Sequence, residues 1–238
     1  MKIIHMKENL VRSFIRNVLN ESLSPVARAD EAGLAVAFGE ESDIQFVIIY
    51  DPVKMEEYLD TRDTGDINTF RGKELNALID LGVIRSCVSY EPSSNPCNGA
   101  FSIRMSVSFA GSGMGPAAYD IAMWRSENGL FADRIGVSSD AQKIWQKYDK
   151  RTDVEKSNFD DISNPTTKPT EDDCAFYKIE NEPIDFLNKS YNILSEPAGL
   201  DDMMKRHNKC YEKITAEGFE HMIPRLISAS RALFRERK

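Results

Sequence analysis

The sequence predicts an α+β fold, a mainly antiparallel sheet with a strand–glycine loop–helix–strand–helix core, followed by C-terminal helices. Three observations carry this. Phe101, Ile103, Met105, Val107 and Phe109 alternate with Ser102, Arg104, Ser106 and Ser108, the period of a half-buried strand. That strand runs into Gly111-Ser112-Gly113-Met114-Gly115-Pro116 and then into a helix-forming stretch. Helical periodicity frames the β-rich part at both ends of the chain.

From the start, Met6, Leu10, Phe14 and Val18 recur every fourth residue, with Lys7, Arg12 and Arg16 on another face, which predicts an amphipathic basic helix within 1–24. Ser22, Ser24 and Pro25 read as its stop. Gly33–Phe38 and Ile44–Tyr50 are β-rich runs joined by a hairpin loop over 39–43. A short helix is expected over Lys73–Leu81, then strands over Val83–Tyr90 and Ala100–Phe109. Ala117–Ser126 continues the glycine loop as a helix, with Pro116 suited to its first turn. Leu130–Arg134 reads as a short strand, and Ser138 or Ser139 caps a helix reaching Tyr148. These elements form a domain over 25–150. Residues 151–183, rich in Asp, Glu and Pro, read as an acidic linker, and 184–238 as a helical segment.

Composition limits the function. Thirty Lys and Arg face 38 Asp and Glu, a net charge of −8, which argues against a dedicated nucleic-acid binder. The longest apolar run, Phe46–Tyr50, is far short of the ~20 residues a membrane helix needs. The acidity is local: residues 151–200 carry −6, and the first 21 residues +2. Cys87, Cys97, Cys174 and Cys210 form no C-x-x-C pair, so reduced thiols are the default expectation, with a Cys87–Cys97 bridge left open. His207 and Cys210 fall on one face of an expected helix, but no further ligand accompanies them, and no metal is expected.

A strand that ends in glycines and opens a helix suits an anion, because backbone can approach a phosphate and the first-turn N–H groups carry partial positive charge. A P-loop needs Gly-Lys-Ser/Thr, which is absent, and Pro116 stands where the dinucleotide fingerprint needs its last glycine. The remaining order resembles the Gcn5-related N-acetyltransferase family. Gly113-Met114-Gly115 fits the G-x-[GA] part of its loop signature, with Ala110 where Gln or Arg is usual. Ser138, Ala141, Ile144 and Lys147 match its following helix, with Trp145 where the family has Tyr.

That resemblance implies an acyl-CoA cofactor, its pyrophosphate held by Gly111, Ser112, Gly113, Met114, Gly115 and Ala117, and a small-molecule or protein amine as acceptor. Glu91 and Asp133 are then the candidate bases, and Tyr148 the candidate acid in place of the residue at 145. The run from Gly113 through Tyr119-Asp120-Ile121-Ala122-Met123, Asp133-Arg134 and Trp145 to Tyr148 is also similar to a group of tailed-phage proteins. Leu19-Asn20-Glu21-Ser22 resembles the [LI]-x-E-[AGS] site cut by prohead maturation proteases, which implies a leader over 1–21 meeting phage head proteins. The expected place is the cytoplasm of an infected bacterium or the virion, and the competing expectation is a non-catalytic head-internal protein on the same fold.

Overall fold

The computed structural model describes residues 23–41, 43–60, 77–109, 113–166, 170–180 and 182–216. The expected leader helix and cleavage site therefore lie outside the described residues, as do Gly111, Ser112 and everything after Ala216.

Ser24 and Pro25 begin a helix rather than only ending one. In α1 (Pro25–Glu31) the Ser24 hydroxyl accepts the Ala27 N–H at 3.2 Å, and Pro25 occupies the first turn, where a missing N–H costs nothing. Strands β1 (Ala35–Glu41) and β2 (Ile44–Tyr50) form the expected hairpin. Helix α2 (Pro52–Asp60) follows, and residues 77–80 are helical before β3 (Ile84–Pro92). Next come β4 (Phe101–Ser108), α3 (Gly115–Arg125), β5 (Leu130–Phe131) and α4 (Ser139–Lys150). Strands β6 (Glu155–Asn158) and β11 (Lys189–Asn192) and helix α5 (Leu200–Ala216) complete the main body.

One seven-stranded sheet has the order β1-β2-β3-β4-β5-β11-β6. All its pairs are antiparallel except β4 with β5. Two of its strands fall outside the expected 25–150 domain. β6 comes from the acidic 151–183 stretch and β11 from the segment expected to be helical. Lys189-Ser190-Tyr191-Asn192 hides its strand character because only Ser190 and Tyr191 are buried, too short a stretch for an alternation to show.

Residues 160–183 add small pieces: β7 (Asp160–Asp161) pairs with β8 (Asp173–Cys174), and β9 (Lys178–Ile179) with β10 (Glu182–Pro183).

The alternation along β4 is broken. Tyr90 pairs with Ile103 and Ser89 with Met105, so Arg104 is an extra residue, a β-bulge. Because the side-chain period is two, one extra residue exchanges the two faces beyond it. Phe101 and Ile103 accordingly join the core under α1, α3 and α4, whereas Met105, Val107 and Phe109 join the opposite core with Phe46, Ile48 and Met55. Helix α5 packs against edge strand β1, giving Leu200 and Met203 to the first core and Cys210 to the second.

The cysteines correct the expectation of four reduced thiols. Cys97 and Cys174, 77 residues apart in sequence, form a disulfide, while Cys87 and Cys210 remain buried thiols. The sequence offered no spacing for this pair, because the Cys174 strand reaches Cys97 only through tertiary folding. Phe131, Phe159 and Ala100 surround the bridge.

Candidate functional site

Strands β4 and β5 touch only at Phe101–Leu130 and Ser102–Phe131. β5 then ends, and β4 runs on to Ser108 without a strand partner on that side among the described residues. The opening is a cleft of about 130 Å³. Its floor holds Ser86, Ser106 and Ser108, and its walls are Gly115 and Tyr119 of α3 and Ser138, Ala141 and Ile144 of α4. The bulge makes this floor. With an unbroken alternation, Met105 and Val107 would face α3 and fill the space; with Arg104 inserted, the small hydroxyls of Ser106 and Ser108 face it instead.

The glycine turn stands at one end of the cleft. Gly113 has φ +66°, and a Cβ there would meet nothing within 4 Å. Gly115 opens α3 against the Ser108 side chain, whose Oγ would lie 3.7 Å from a Cβ at that position. The α3 N-cap is Met114, whose side chain makes no capping bond. The positive end of the α3 dipole thus sits at the cleft, with no side-chain capping bond from Met114 itself. On the opposite wall Ser138 caps α4, its Oγ accepting the Ala141 N–H at 3.2 Å.

The proton-transfer candidates are not brought together, and none lines the cleft. Glu91 is on the sheet face opposite the serines, since Ser86, Val88 and Tyr90 share the cleft side, and it pairs with Arg104 at 3.1 Å. Asp133 lies on the loop after β5, where its Oδ1 accepts the Ile135 N–H at 2.8 Å. Tyr148 is buried one turn beyond Ile144 on α4, outside the cleft lining, and donates toward Asp120 Oδ1 at 2.7 Å and the Pro116 carbonyl at 3.0 Å. Burial and the adjoining Asp120 hold its pKa well above the ordinary 10. Asp120, also buried, has its pKa pushed up by burial, against the opposing pull of Arg151 Nη1 at 2.7 Å and of Tyr148. This network ties the end of α4 to the first turn of α3, directly behind the glycine turn.

The serine floor and Tyr119 were not among the site candidates read from the sequence. Tyr119 does pack: its ring stands edge-on to Trp145, with centroids 5.5 Å apart. It also lines the cleft beside Ser106. Burial pushes its pKa up to about 12, against the pull of a hydrogen bond from Ser106, so it is a neutral phenol near neutral pH. Asp140, the cleft's carboxylate, bonds Lys143 Nζ at 2.8 Å, which keeps its pKa below the usual carboxylate range. The pattern that could have revealed the floor was present as Ser102, Ser106 and Ser108, but its meaning depends on the bulge.

Among the described residues no group of three or more His, Cys, Asp or Glu is placed to hold a metal ion, and no helix is long and apolar enough to cross a membrane. Comparison with protein-family models, curated proteins and solved structures found no match for the chain.

Proposed function

We propose that the cleft takes the thioester arm of an acyl-CoA and that the chain is an acyl-CoA-dependent N-acyltransferase or a degenerate relative of one. The observation that carries this is the parting of β4 from β5 beside the glycine-led start of α3. A volume of about 130 Å³ is less than half the ~300 Å³ at the lower end of small-molecule pockets, and corresponds to roughly four waters. That is too small to bury a nucleotide but suits a thin, extended amide chain with its phosphates at the mouth.

In this reading, the backbone from Gly113 to Ala117 faces the pyrophosphate, where a helix start favours negative charge. The edge of β4 left open beyond Ser102 offers backbone groups to the amides of the arm, in the manner of an added strand. Ser106 supplies a hydroxyl at the floor, oriented by Tyr119. The cofactor would contribute an activated acyl group. The acceptor amine needs a base, and the engagement of Glu91 with Arg104 and of Asp133 with its own loop leaves that role to the amine itself at alkaline pH or to a residue outside the described set.

The same engagements favour a second reading, a non-catalytic head-internal protein on this fold. The two are separated by thermal shift and turnover. Acetyl-CoA at a hundred times its Kd should stabilise the protein by about 2.7 kcal/mol, several degrees in Tm. Ser106→Phe, which fills the floor, should abolish that shift while leaving the unliganded Tm within about two degrees. No shift with acetyl-CoA or free CoA overturns the cofactor reading. A shift without acyl transfer to any amine favours the degenerate relative. For the head-internal reading, the protein recovered from mature particles should begin at Ser22, and an intact Met1 by mass spectrometry rejects it.

A further inference from the structure

We propose that Cys97 and Cys174 form a redox latch on the α4 wall of the cleft. Closing the bridge fixes the 133–138 segment that leads into α4, and opening it releases that segment. The connection runs through Arg134. Its guanidinium lies over the rings of Phe131 and Phe159, with centroids 4.6 and 5.4 Å away. Nη2 is 3.6 Å from Cys174 Sγ, and Nη1 donates to the Leu187 carbonyl at 2.6 Å. Nη1 also reaches Asn188 Oδ1 at 3.4 Å, so the seat of this cation is made by sulfur, aromatic rings, a carbonyl and a side-chain amide, with the Asp133 charge nearby.

Three residues further on, the Val137 N–H donates to the Tyr177 hydroxyl at 3.3 Å, and Ser138 then caps α4. Both ends of the 133–138 segment are thus held from the 174–188 stretch. That stretch has little regular structure at its start, since β8, β9 and β10 are two residues each, and it is fixed further on by Leu187 in the main core and by the Asn188 side chain, which bonds the Tyr177 backbone and the Ile184 carbonyl. The bridge anchors it to the turn before β4, where Cys97 and Asn98 sit at φ +43° and +58°, a conformation costly for residues other than glycine. Apart from the bridge, Cys174 is held by the Phe131, Phe159 and Phe176 cluster and by the Ile162 N–H, which its carbonyl accepts at 3.1 Å.

The closing step balances with a low-molecular-weight disulfide, such as oxidised glutathione, as oxidant. One cysteine thiolate attacks it and releases a first thiol. The other cysteine thiolate then attacks the mixed disulfide and releases the second. The two protons leave with the released thiols, and the two electrons reduce the small disulfide. Both sulfurs are fully buried, so reversal requires local opening of the 159–176 region and is slow once the bridge has formed.

The proposal does not depend on which ligand the cleft takes. Its test is hydrogen exchange on the full chain with the bridge closed, on the same chain reduced with a phosphine, and on Cys97→Ser/Cys174→Ser. Opening should accelerate exchange at Ile135 and Val137 by about tenfold or more, and leave β2 and β3 unchanged. Thiol titration after equilibration with oxidised glutathione should count two thiols, those of Cys87 and Cys210. Four thiols, or equal exchange at Ile135 and Val137 in open and closed forms, overturns the latch. If the double variant fails to fold, the reduced wild-type chain supplies the same comparison.

Discussion

At Gly129 the backbone turns with φ +81°, and a Cβ would stand 2.5 Å from the Tyr191 carbonyl oxygen. Strand β11 passes this closely because it pairs with β5 immediately after the turn. Gly129→Ala should therefore cost the left-handed penalty plus a backbone displacement, about 2–5 kcal/mol by urea unfolding. Gly113 differs, since a Cβ there enters open space. Gly113→Ala should cost only about 1–2 kcal/mol, so its effect on ligand binding can be read without collapse of the fold. For Tyr148, Tyr148→Phe should lower stability by about 1–2 kcal/mol, because a buried donor to Asp120 and Pro116 is lost. It should leave any acetyl-CoA shift unchanged, and loss of that shift would return Tyr148 to the site.

The bulge in β4 and the brevity of β5 together create the cleft, since one turns serines toward α3 and the other ends the adjoining strand. The α4 wall depends on its first turn. Ser138→Ala removes the cap and should cost about 1 kcal/mol, measured as a fall in Tm of a few degrees. The disulfide acts over a longer range. Closing a loop with a sequence separation of 77 corresponds to about 4.5 kcal/mol in the chain-entropy relation. Cys97→Ser should lower stability by up to about that amount, and a loss below about 1 kcal/mol would show that the denatured chain gains little freedom.

For the whole molecule, alkaline pH is the exposed flank. Tyr50, Tyr119, Tyr148 and Tyr191 are buried, and burial raises all four pKa values above the ordinary 10, that of Tyr119 to about 12. Between pH 10 and the raised values, the native state keeps these protons while the unfolded chain loses them. Their stabilisation is therefore complete below pH 10 and declines as pH rises through the native pKa range. Each group adds up to about 1.4 kcal/mol per pH unit, so four can exhaust a stability of 5–15 kcal/mol within a few units. Urea unfolding at pH 9, 10 and 11 should show a steep fall beginning near pH 10. On the acid side, burial lowers the pKa of His207, whose Nδ1 lies 2.9 Å from the Tyr50 hydroxyl. Its contribution is present above the ordinary 6.5 and is lost as pH falls toward the lower native value.

The local elements were legible where residues settle their own conformation. The β1–β2 hairpin, the Pro116 helix start and the Ser138 cap follow from period, ring geometry and a hydroxyl acceptor, none of which needs a distant partner. Strands β6 and β11 were not legible, because in a short polar strand the partner, not the residue pattern, decides the structure. The cleft was half legible. Gly113 and Gly115 marked its rim, whereas Ser106 and Ser108 look like the outer face of a simple strand until the register across β3 inserts Arg104. Glu91, Asp133 and Tyr148 were chosen for their chemistry and their places in the elements the resemblance implied, yet facing and burial took each elsewhere. The sequence by itself determined an α+β chain with a glycine-opened helix, because those preferences are local. Tertiary structure alone decided the seven-strand order, the serine floor and the Cys97–Cys174 bridge, because each depends on residues far apart in sequence meeting in one register.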